Sequence, residues 1–250
     1  MPRSTYEYKP KARPQDEILR GRMKELAAKH RRFGLPRLHT MLRNEGVVKN
    51  VKRTHRIYAQ EKLQVRRRRK KKLTRMPRVE RPKASRPNEV WSIDFVFDWL
   101  MTKRKLKCLT IVDDFTKESV GILVEHSISG DALARYFDQL PVRPSRIRSD
   151  NGPEFGSNAF LDWIEKTKVE HEFITPGKPN ENAYIESFNS RFRDECLNEH
   201  VFRDLNDARR KVEEWRKTYN EIHPHSSLGM KSPKVFAESY RQVLRADAAP

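Results

Sequence analysis

A short run around one acidic residue limits what this chain can fold into. In VWSIDFVFDW, residues 90–99, large apolar side chains recur at every second position and Asp94 stands among them. A period of two residues is typical of a β-strand with one packed face. The pattern therefore predicts a strand that carries a carboxylate in its middle, close to a core.

Two further acidic residues occupy similarly defined positions. Asp150 follows the run 146–149 and precedes the turn pair Asn151-Gly152, which predicts a place at the carboxyl end of a strand. Open α/β sheets hold their ligands in the crevice at such ends. Glu186 falls in a helix expected at about residues 181–199, where it flanks an apolar stripe with helical spacing.

Three carboxylates that converge would repel one another strongly. Unit charges about 4 Å apart interact by about 4 kcal/mol at an effective dielectric constant of about 20. A divalent cation removes this repulsion, and a ligand set made of oxygen atoms favours Mg²⁺ or Mn²⁺ over Zn²⁺. We therefore interpret Asp94, Asp150 and Glu186 as metal ligands. The alternative is that they are ordinary solvated acids, since the chain has 34 acidic residues.

The order of the predicted elements indicates an α/β fold. Strands are expected at residues 90–99, 106–113, 120–125, 146–149 and 169–174. Helices are expected at residues 129–140, 157–167, 181–199 and 206–222. Three successive strands predict an antiparallel meander, and later strands added through helices make the five-stranded sheet mixed. This sheet would bring Asp94 beside the end of the strand that precedes Asp150.

Six segments carry a resemblance that covers nearly the whole chain. They are RFGLPRLHTMLRNEG, ASRPNEVWSIDFVFDWL, LTIVDDFTKES, RIRSDNGPEF, TPGKPNENAYIESFNSRFRDECLNEH and YNEIHPHSSLGMKSP. With these segments the chain resembles the retroviral-integrase-like (DDE) transposases of bacterial insertion sequences, specifically the second-frame subunit of the insertion-sequence-three family. Together the segments are very specific for that family.

The resemblance implies an RNase H-like core in which Asp94, Asp150 and Glu186 are catalytic and hold two Mg²⁺ or Mn²⁺ ions. It implies cleavage of the element's DNA ends and their transfer to target DNA, a chemistry that consumes no ATP. It also implies a helper base, Arg193, seven residues beyond Glu186. Two alternatives stay open: an RNase H-like nuclease that never joins strands, and a DNA-binding remnant without enzymatic activity.

Other acidic residues compete for the metal-binding role. Asp113 and Asp114 of IVDDF belong, in the family, to a turn that closes the second strand, and we interpret them as structural. Glu154 and Asp98 are weaker candidates.

Charge divides the chain into a basic front and a near-neutral rear. Residues 1–86 contain 29 Lys and Arg against 7 acidic residues, a net charge of +22, whereas residues 87–250 carry a net charge of −3. This asymmetry predicts that the front binds a polyanion, DNA or RNA. A ribosomal or membrane-surface role would also fit the basic charge, but it leaves the acidic residues of the rear unexplained.

The front predicts three helices, at residues 15–32, 35–44 and 50–62, and the arrangement resembles a helix-turn-helix module. Asn50 is expected to cap the last helix, with Lys52, Arg53 and Arg56 facing outward beside DNA. The alternative is a small basic bundle that only supports the core.

Further DNA contacts are expected in the linker and around the Glu186 helix. Seven consecutive basic residues should attach to phosphates without sequence preference. They are Arg66, Arg67, Arg68, Arg69, Lys70, Lys71 and Lys72. Asn182 and Arg193 fall on the helix face of Glu186 and should line the DNA groove, although Arg193 could instead pair with a surface acid. Lys178 could reach a DNA end or be a simple exposed lysine.

We divide the chain into a helix-turn-helix-like region (1–64), a basic linker (65–87), a catalytic core (88–200) and a helical extension of the core (201–250). Cys108 and Cys196 are expected to be buried thiols, and neither a zinc module nor an ATP-binding loop is recognisable. We expect a cytoplasmic, nucleoid-associated protein that binds terminal repeats and target DNA as a homo-oligomer. The family also suggests a partner, the upstream-frame product, joined by a frameshift fusion.

Overall fold

The computed structural model describes residues 14–65, 83–175 and 179–247. The chain divides into two compact units at Lys72 and Leu73, a point that falls inside the linker expected from the sequence. Each unit has its own hydrophobic core.

The first unit consists of three helices. They are α1 (Pro14–Lys29), α2 (Leu35–Asn44) and α3 (Val51–Gln60). The side chain of Asn50 accepts a hydrogen bond of 2.8 Å from the backbone N–H of Lys52, so Asn50 caps α3 as expected. Apolar residues at helical spacing face inward from all three helices, among them Leu19, Met23, Leu38, Leu42 and Ile57.

The second unit is built on a five-stranded sheet with the strand order β3-β2-β1-β4-β5. Its strands are β1 (Val90–Trp99), β2 (Lys105–Asp113), β3 (Ser119–Glu125), β4 (Arg146–Ser149) and β5 (Glu170–Phe173). Strands β1, β2 and β3 are antiparallel neighbours, whereas β4 runs parallel to both β1 and β5. The mixed sheet predicted from the sequence is therefore confirmed.

Helices cover both faces of this sheet. They are α4 (Gly130–Gln139), α5 (Asn158–Thr167), α6 (Ala183–Glu195), α7 (Leu205–Glu221) and α8 (Pro233–Asp247). One core lies between the sheet and α4 and α5 and contains Trp91 and Trp163. The other core lies under α6 and α7 and contains Cys108 and Cys196. Both cysteines are fully buried, as expected.

The helix that carries Glu186 is shorter than its sequence indicates. The expected helix at residues 181–199 is α6 with a short 3-10 helix on either side, Pro179–Asn182 and Leu197–Glu199. Cys196 has φ −122° and ψ −64°, which ends the α-helix there. In the part of the chain that the structure describes, none of the helices is long and apolar enough to span a bilayer.

Candidate active site

The sheet register places Asp94 on β1 and Asp150 directly after the neighbouring parallel strand β4. Ser92 of β1 pairs with Arg148 of β4, and each carboxylate lies two residues beyond this pair along its own chain. Parallel neighbours point in the same direction, so the two aspartates occupy the same end of the β1–β4 pair. The alternation of VWSIDFVFDW and the Asn-Gly turn after β4 therefore bring two distant acidic residues together.

Asp94 is held by hydrogen bonds from its own strand and from α6. Its Oδ1 accepts from the backbone N–H of Phe95 at 2.7 Å, and its Oδ2 accepts from the Asn189 side chain at 2.8 Å. The Asn189 Oδ1 in turn accepts from the buried hydroxyl of Thr110 on β2 at 2.8 Å. Asn189 thus ties α6 to two strands and fixes the carboxylate of Asp94.

Glu186 reaches the same region from α6. It stands three residues before Asn189, a spacing that puts both side chains on one side of the helix. Burial raises the pKa of Asp94 to about 6, and the negative charges of Asp150 and Glu186 raise it as well. Partial burial also raises the pKa of Glu186. The three predicted carboxylates therefore lie close enough to act on one another electrostatically.

The three carboxylates are more widely spaced than the ligands of a preformed metal site. Among residues 14–65, 83–175 and 179–247, no three His, Cys, Asp or Glu side chains lie close enough together to hold a metal ion. An ion held by such a cluster would take its remaining ligands from water and phosphate oxygens, which is the usual arrangement for Mg²⁺.

The loop after β4 fixes Asp150. Its Oδ1 accepts a hydrogen bond of 3.0 Å from the backbone N–H of Gly152. A Cβ atom at Gly152 would lie 3.1 Å from that same oxygen and 3.3 Å from the ring of Phe155, so a larger residue would displace both groups by a few tenths of an ångström. Phe155 stacks on Phe95 of β1 with ring centroids 4.8 Å apart, which anchors the loop on the strand of Asp94.

A buried polar network joins the two strands just before the aspartates. Arg148 donates to Asp114 at 2.9 Å and to Glu172 at 3.1 Å, and Ser92 donates to Asp114 at 2.7 Å. Burial raises the pKa of Asp114 to about 6 although Arg148 and Ser92 favour its charged form. Because Ser92 lies on β1 and Arg148 on β4, the network holds the strands of Asp94 and Asp150 side by side.

Each competing acidic residue is held by a donor or cation of its own. Asp113 accepts from the backbone N–H groups of Phe115 and Thr116 at 2.8 and 2.7 Å, the pattern of a turn. Glu154 pairs with Lys107. Asp98 accepts from the N–H of Trp99 at 2.9 Å. These contacts agree with the structural interpretation of Asp113 and Asp114.

The residues expected to line a DNA groove have different surroundings. Asn182 is only 4% exposed, and its amide donates to the carbonyl of Ile93 at 3.4 Å, so it supports β1 and does not lie on the surface. Arg193 is exposed, and its guanidinium donates to the carbonyl of Phe97 at 2.8 Å. Lys178 lies outside the described residues.

Two of the basic residues on α3 are held by an acidic side chain of α1. Asp16 accepts from Arg53 at 2.6 Å and from Arg56 at 2.7 Å. Arg56 nevertheless stays exposed, with 47% of its side chain accessible, so only the expectation that Arg53 faces outward needs correction. Lys52 is exposed. The basic run from Arg66 to Lys72 lies outside the described residues.

Asn189 is the site residue that the sequence did not single out as a contact of Asp94. It lies three residues after Glu186 on α6, but its role depends on Asp94 and Thr110, which belong to two other elements. No pattern within one stretch of sequence predicts a contact among three separate elements.

This sheet order and this carboxylate cluster define a class of protein, the one with an RNase H-like core of the integrase type. Family models agree. Two models described as "Integrase core domain" match residues 84–179 and 167–233, and one described as "HTH-like domain" matches residues 14–71.

Relatives that align with the whole of this chain show which family within that class it belongs to. The chain is 47% identical to the "Insertion element IS476 uncharacterized 39.2 kDa protein" of Xanthomonas euvesicatoria, an alignment that covers 100% of this chain and 73% of that one. It is also 47% identical to the "Insertion element IS407 uncharacterized 31.7 kDa protein" of Burkholderia multivorans, covering 100% and 91%. The chain belongs to the integrase-core (DDE) transposases of insertion elements, of the insertion-sequence-three type.

A solved structure shares the fold. A chain of the simian T-cell lymphotropic virus intasome, solved in complex with PP2A regulatory subunit B56 gamma, is similar with a TM-score of 0.52 and 17% sequence identity. The similarity covers 86% of this chain and 74% of the viral one.

Proposed function

We propose that this transposase cuts the ends of its insertion element and joins them to target DNA with the help of divalent metal ions. The observation that carries the proposal is the electrostatic cluster of Asp94, Asp150 and Glu186 on an integrase-type sheet. The reaction exchanges one phosphodiester for another, so the enzyme would be a polynucleotidyl transferase that needs no nucleoside triphosphate.

The same three residues would hold two Mg²⁺ or Mn²⁺ ions. Their donors are all oxygen atoms, and the raised pKa of Asp94 reflects burial together with negative charges that a cation would compensate. When bound, such a pair of ions activates an attacking water or 3′-hydroxyl and stabilises the charge of the leaving oxygen.

The chain's own residues orient this chemistry. Asn189 and the N–H of Phe95 keep both oxygens of Asp94 in place, and the Gly152 N–H does the same for one oxygen of Asp150. Arg193, exposed on α6 beyond Glu186, supplies a positive charge that can meet a DNA phosphate. Lys178 would contact a DNA end. The buried Asn182 would support the backbone of β1 through its hydrogen bond to Ile93.

DNA binding would be shared along the chain. The HTH-like domain, with Lys52 on α3, would recognise the terminal repeats, and the basic run Arg66 to Lys72 would add contacts without sequence preference. By analogy with the intasome relative, the active form would be an oligomer on DNA. A fusion with the upstream-frame product stays a prediction. So does the location of the enzyme in the bacterial cytoplasm, where the chromosome lies.

An end-joining assay tests the proposal. Labelled duplexes that end in the element's terminal repeats are incubated with the full chain and Mn²⁺, and the nicked and joined products are separated. We expect both products from the wild type. Asp94→Asn, Asp150→Asn and Glu186→Gln should each lose both products while keeping DNA binding.

Asp98→Asn is the matched control, because Asp98 lies on β1, on the same face as Asp94, and should keep activity. Nicking without joining would indicate a nuclease. Binding without either product would indicate an inactive remnant, and full activity of any of the three site variants would refute the assignment.

A further inference from the structure

A strip of aromatic and basic side chains lies on the sheet face opposite to α6. On β1 it consists of Phe95, Phe97 and Trp99, which share one face because alternate residues of a strand point the same way. On β2, Lys107 stands directly opposite Phe97, and Lys105 stands opposite Trp99. Residues opposite each other in an antiparallel pair have side chains on the same face. We call these five residues the aromatic strip.

The strip emerges from the core toward solvent. Phe95 is partly buried and stacks on Phe155, whereas Phe97 is 42% exposed and Trp99 is 60% exposed. Met101, in the turn after β1, is exposed as well. Proteins in water rarely expose contiguous apolar surface, so such a patch indicates a site at which another molecule binds.

Positive charge accompanies the aromatic rings. The Nζ of Lys105 lies 4.2 Å from the centroid of Phe97, and the Nζ of Lys107 lies 3.9 Å from that of Phe95. Lys103 and Arg104 in the adjoining turn are exposed. Lys107 pairs with Glu154, and Lys105 lies close enough to lower the pKa of that carboxyl as well. Within the described part of the chain, Lys103 and Arg104 have no carboxylate partner.

This combination favours a nucleic-acid strand over an apolar protein surface. Exposed cations without acidic partners attract phosphates, and flat exposed rings bind the faces of bases without regard to sequence. A duplex hides those faces within its own stack, so the ligand must contain unpaired nucleotides.

We propose that Phe97, Trp99 and Lys105 bind unpaired nucleotides of a DNA strand that leaves the active site. The inference rests on the proposed function. The Asp150 loop connects the two places, because its Glu154 and Phe155 contact the strip directly. Trp99 lies five residues beyond Asp94, about 17 Å along the strand. That length corresponds to about five nucleotides at the spacing of a B-form strand. The two side chains point to opposite faces of the sheet, so the DNA strand would pass around the part of β1 that β4 does not cover.

Binding measurements on the full chain test this proposal. Fluorescence anisotropy compares a blunt duplex with the same duplex carrying an unpaired tail of about ten nucleotides, twice the estimated span. EDTA is present, so chemistry does not interfere. We expect the wild type to bind the tailed duplex more tightly, by about 5- to 150-fold for each stacked base.

Two variants of Trp99 and one control variant test the role of the aromatic strip. Trp99→Ala should remove most of the preference for the tail, whereas Trp99→Phe, which keeps a ring, should retain most of it. Val235→Ala on α8, also at an exposed apolar position, is the control and should bind like the wild type.

Charge is tested separately through salt dependence. Lys105→Gln should lower the slope of log affinity against log salt for the tail-dependent part by about 0.7. Lys166→Gln, which removes an exposed lysine on α5, should leave that slope unchanged.

An unchanged tail preference in Trp99→Ala would overturn the proposal. If Trp99→Ala then also changed the oligomeric state, as measured by sedimentation, the strip would be a contact between copies of the chain. The joining assay with Mn²⁺ keeps the two claims apart. Joining with a tail preference independent of Trp99 refutes only the strip, whereas a preference that depends on Trp99 without nicking or joining refutes the proposed function.

Discussion

Replacing Arg148 tests whether the buried network aligns the strands of the active site. Arg148 is 5% exposed and Asp114 is 4% exposed, and they form an ion pair of 2.9 Å. Arg148→Met keeps much of the side-chain volume but leaves the Asp114 carboxylate buried without its guanidinium. Removing one partner of a buried pair costs about 3–5 kcal/mol in the free energy of unfolding. The hydroxyl of Ser92 remains bound to Asp114, so we expect the lower end, about 3 kcal/mol.

Such a loss is measurable by thermal and urea denaturation. For a unit of this size it lowers the Tm by roughly 6–12 °C at neutral pH. The double variant Asp114→Asn with Arg148→Met should be more stable than Arg148→Met alone, because the amide carries no charge to desolvate. Below its Tm, the single variant should also join DNA ends poorly, since β1 and β4 lose a link beside Asp94 and Asp150.

The pH dependence gives an independent check. The pKa of Asp114 in the folded state, about 6, lies above its ordinary value of 3.8. The folded state therefore binds more protons than the unfolded state in this window, and this residue's contribution to stability falls as the pH rises from about 4 to about 6. Without Arg148 the pKa of Asp114 rises further, so the defect should shrink at about pH 5. A loss below about 1 kcal/mol, constant with pH and with full joining activity, would refute the reasoning.

Three other changes have defined outcomes. Asn189→Ala should reduce joining by about 10- to 100-fold with an unchanged far-ultraviolet spectrum, because Asp94 loses its donor from α6; wild-type joining would contradict this role. Burial lowers the pKa of Lys117 to about 8, so the unfolded state binds more protons above that pH and the wild type should gain urea resistance between pH 8 and 10. Lys117→Met should lack this gain, and an identical pH slope would contradict the assignment. Replacing Arg66 to Lys72 with Gln and Ser should weaken binding to all duplexes alike, and unchanged affinity at moderate salt would contradict it.

The sequence predicted the sheet closely because its signals are local. Strands β1 and β4 have the expected bounds, residues 90–99 and 146–149, since alternation and an Asn-Gly turn mark them directly. The positions of Asp94 on β1 and of Asp150 just after β4 follow from the same signals, and helical spacing of apolar residues places Glu186 on α6.

What the sequence could not predict depends on contacts between distant elements. Asn182 looked like an exposed member of a helix face, but its amide binds the carbonyl of Ile93 and buries it. Asp16 draws Arg53 and Arg56 toward α1 across almost 40 residues. The role of Asn189 likewise requires Asp94 and Thr110 to be in place. The spacing of apolar residues indicates which face of a helix or strand is buried, but it does not indicate which residues of other elements contact that face.

Manganese binding by the full chain tests the central claim most directly, because it requires neither DNA nor turnover. Electron paramagnetic resonance measures the Mn²⁺ that stays free in solution as protein is added. We expect the wild type to bind Mn²⁺, and Asp94→Asn, Asp150→Asn and Glu186→Gln each to weaken that binding, while Asp98→Asn behaves like the wild type. Wild-type affinity in all three site variants would contradict the claim that these carboxylates form one metal-binding active site.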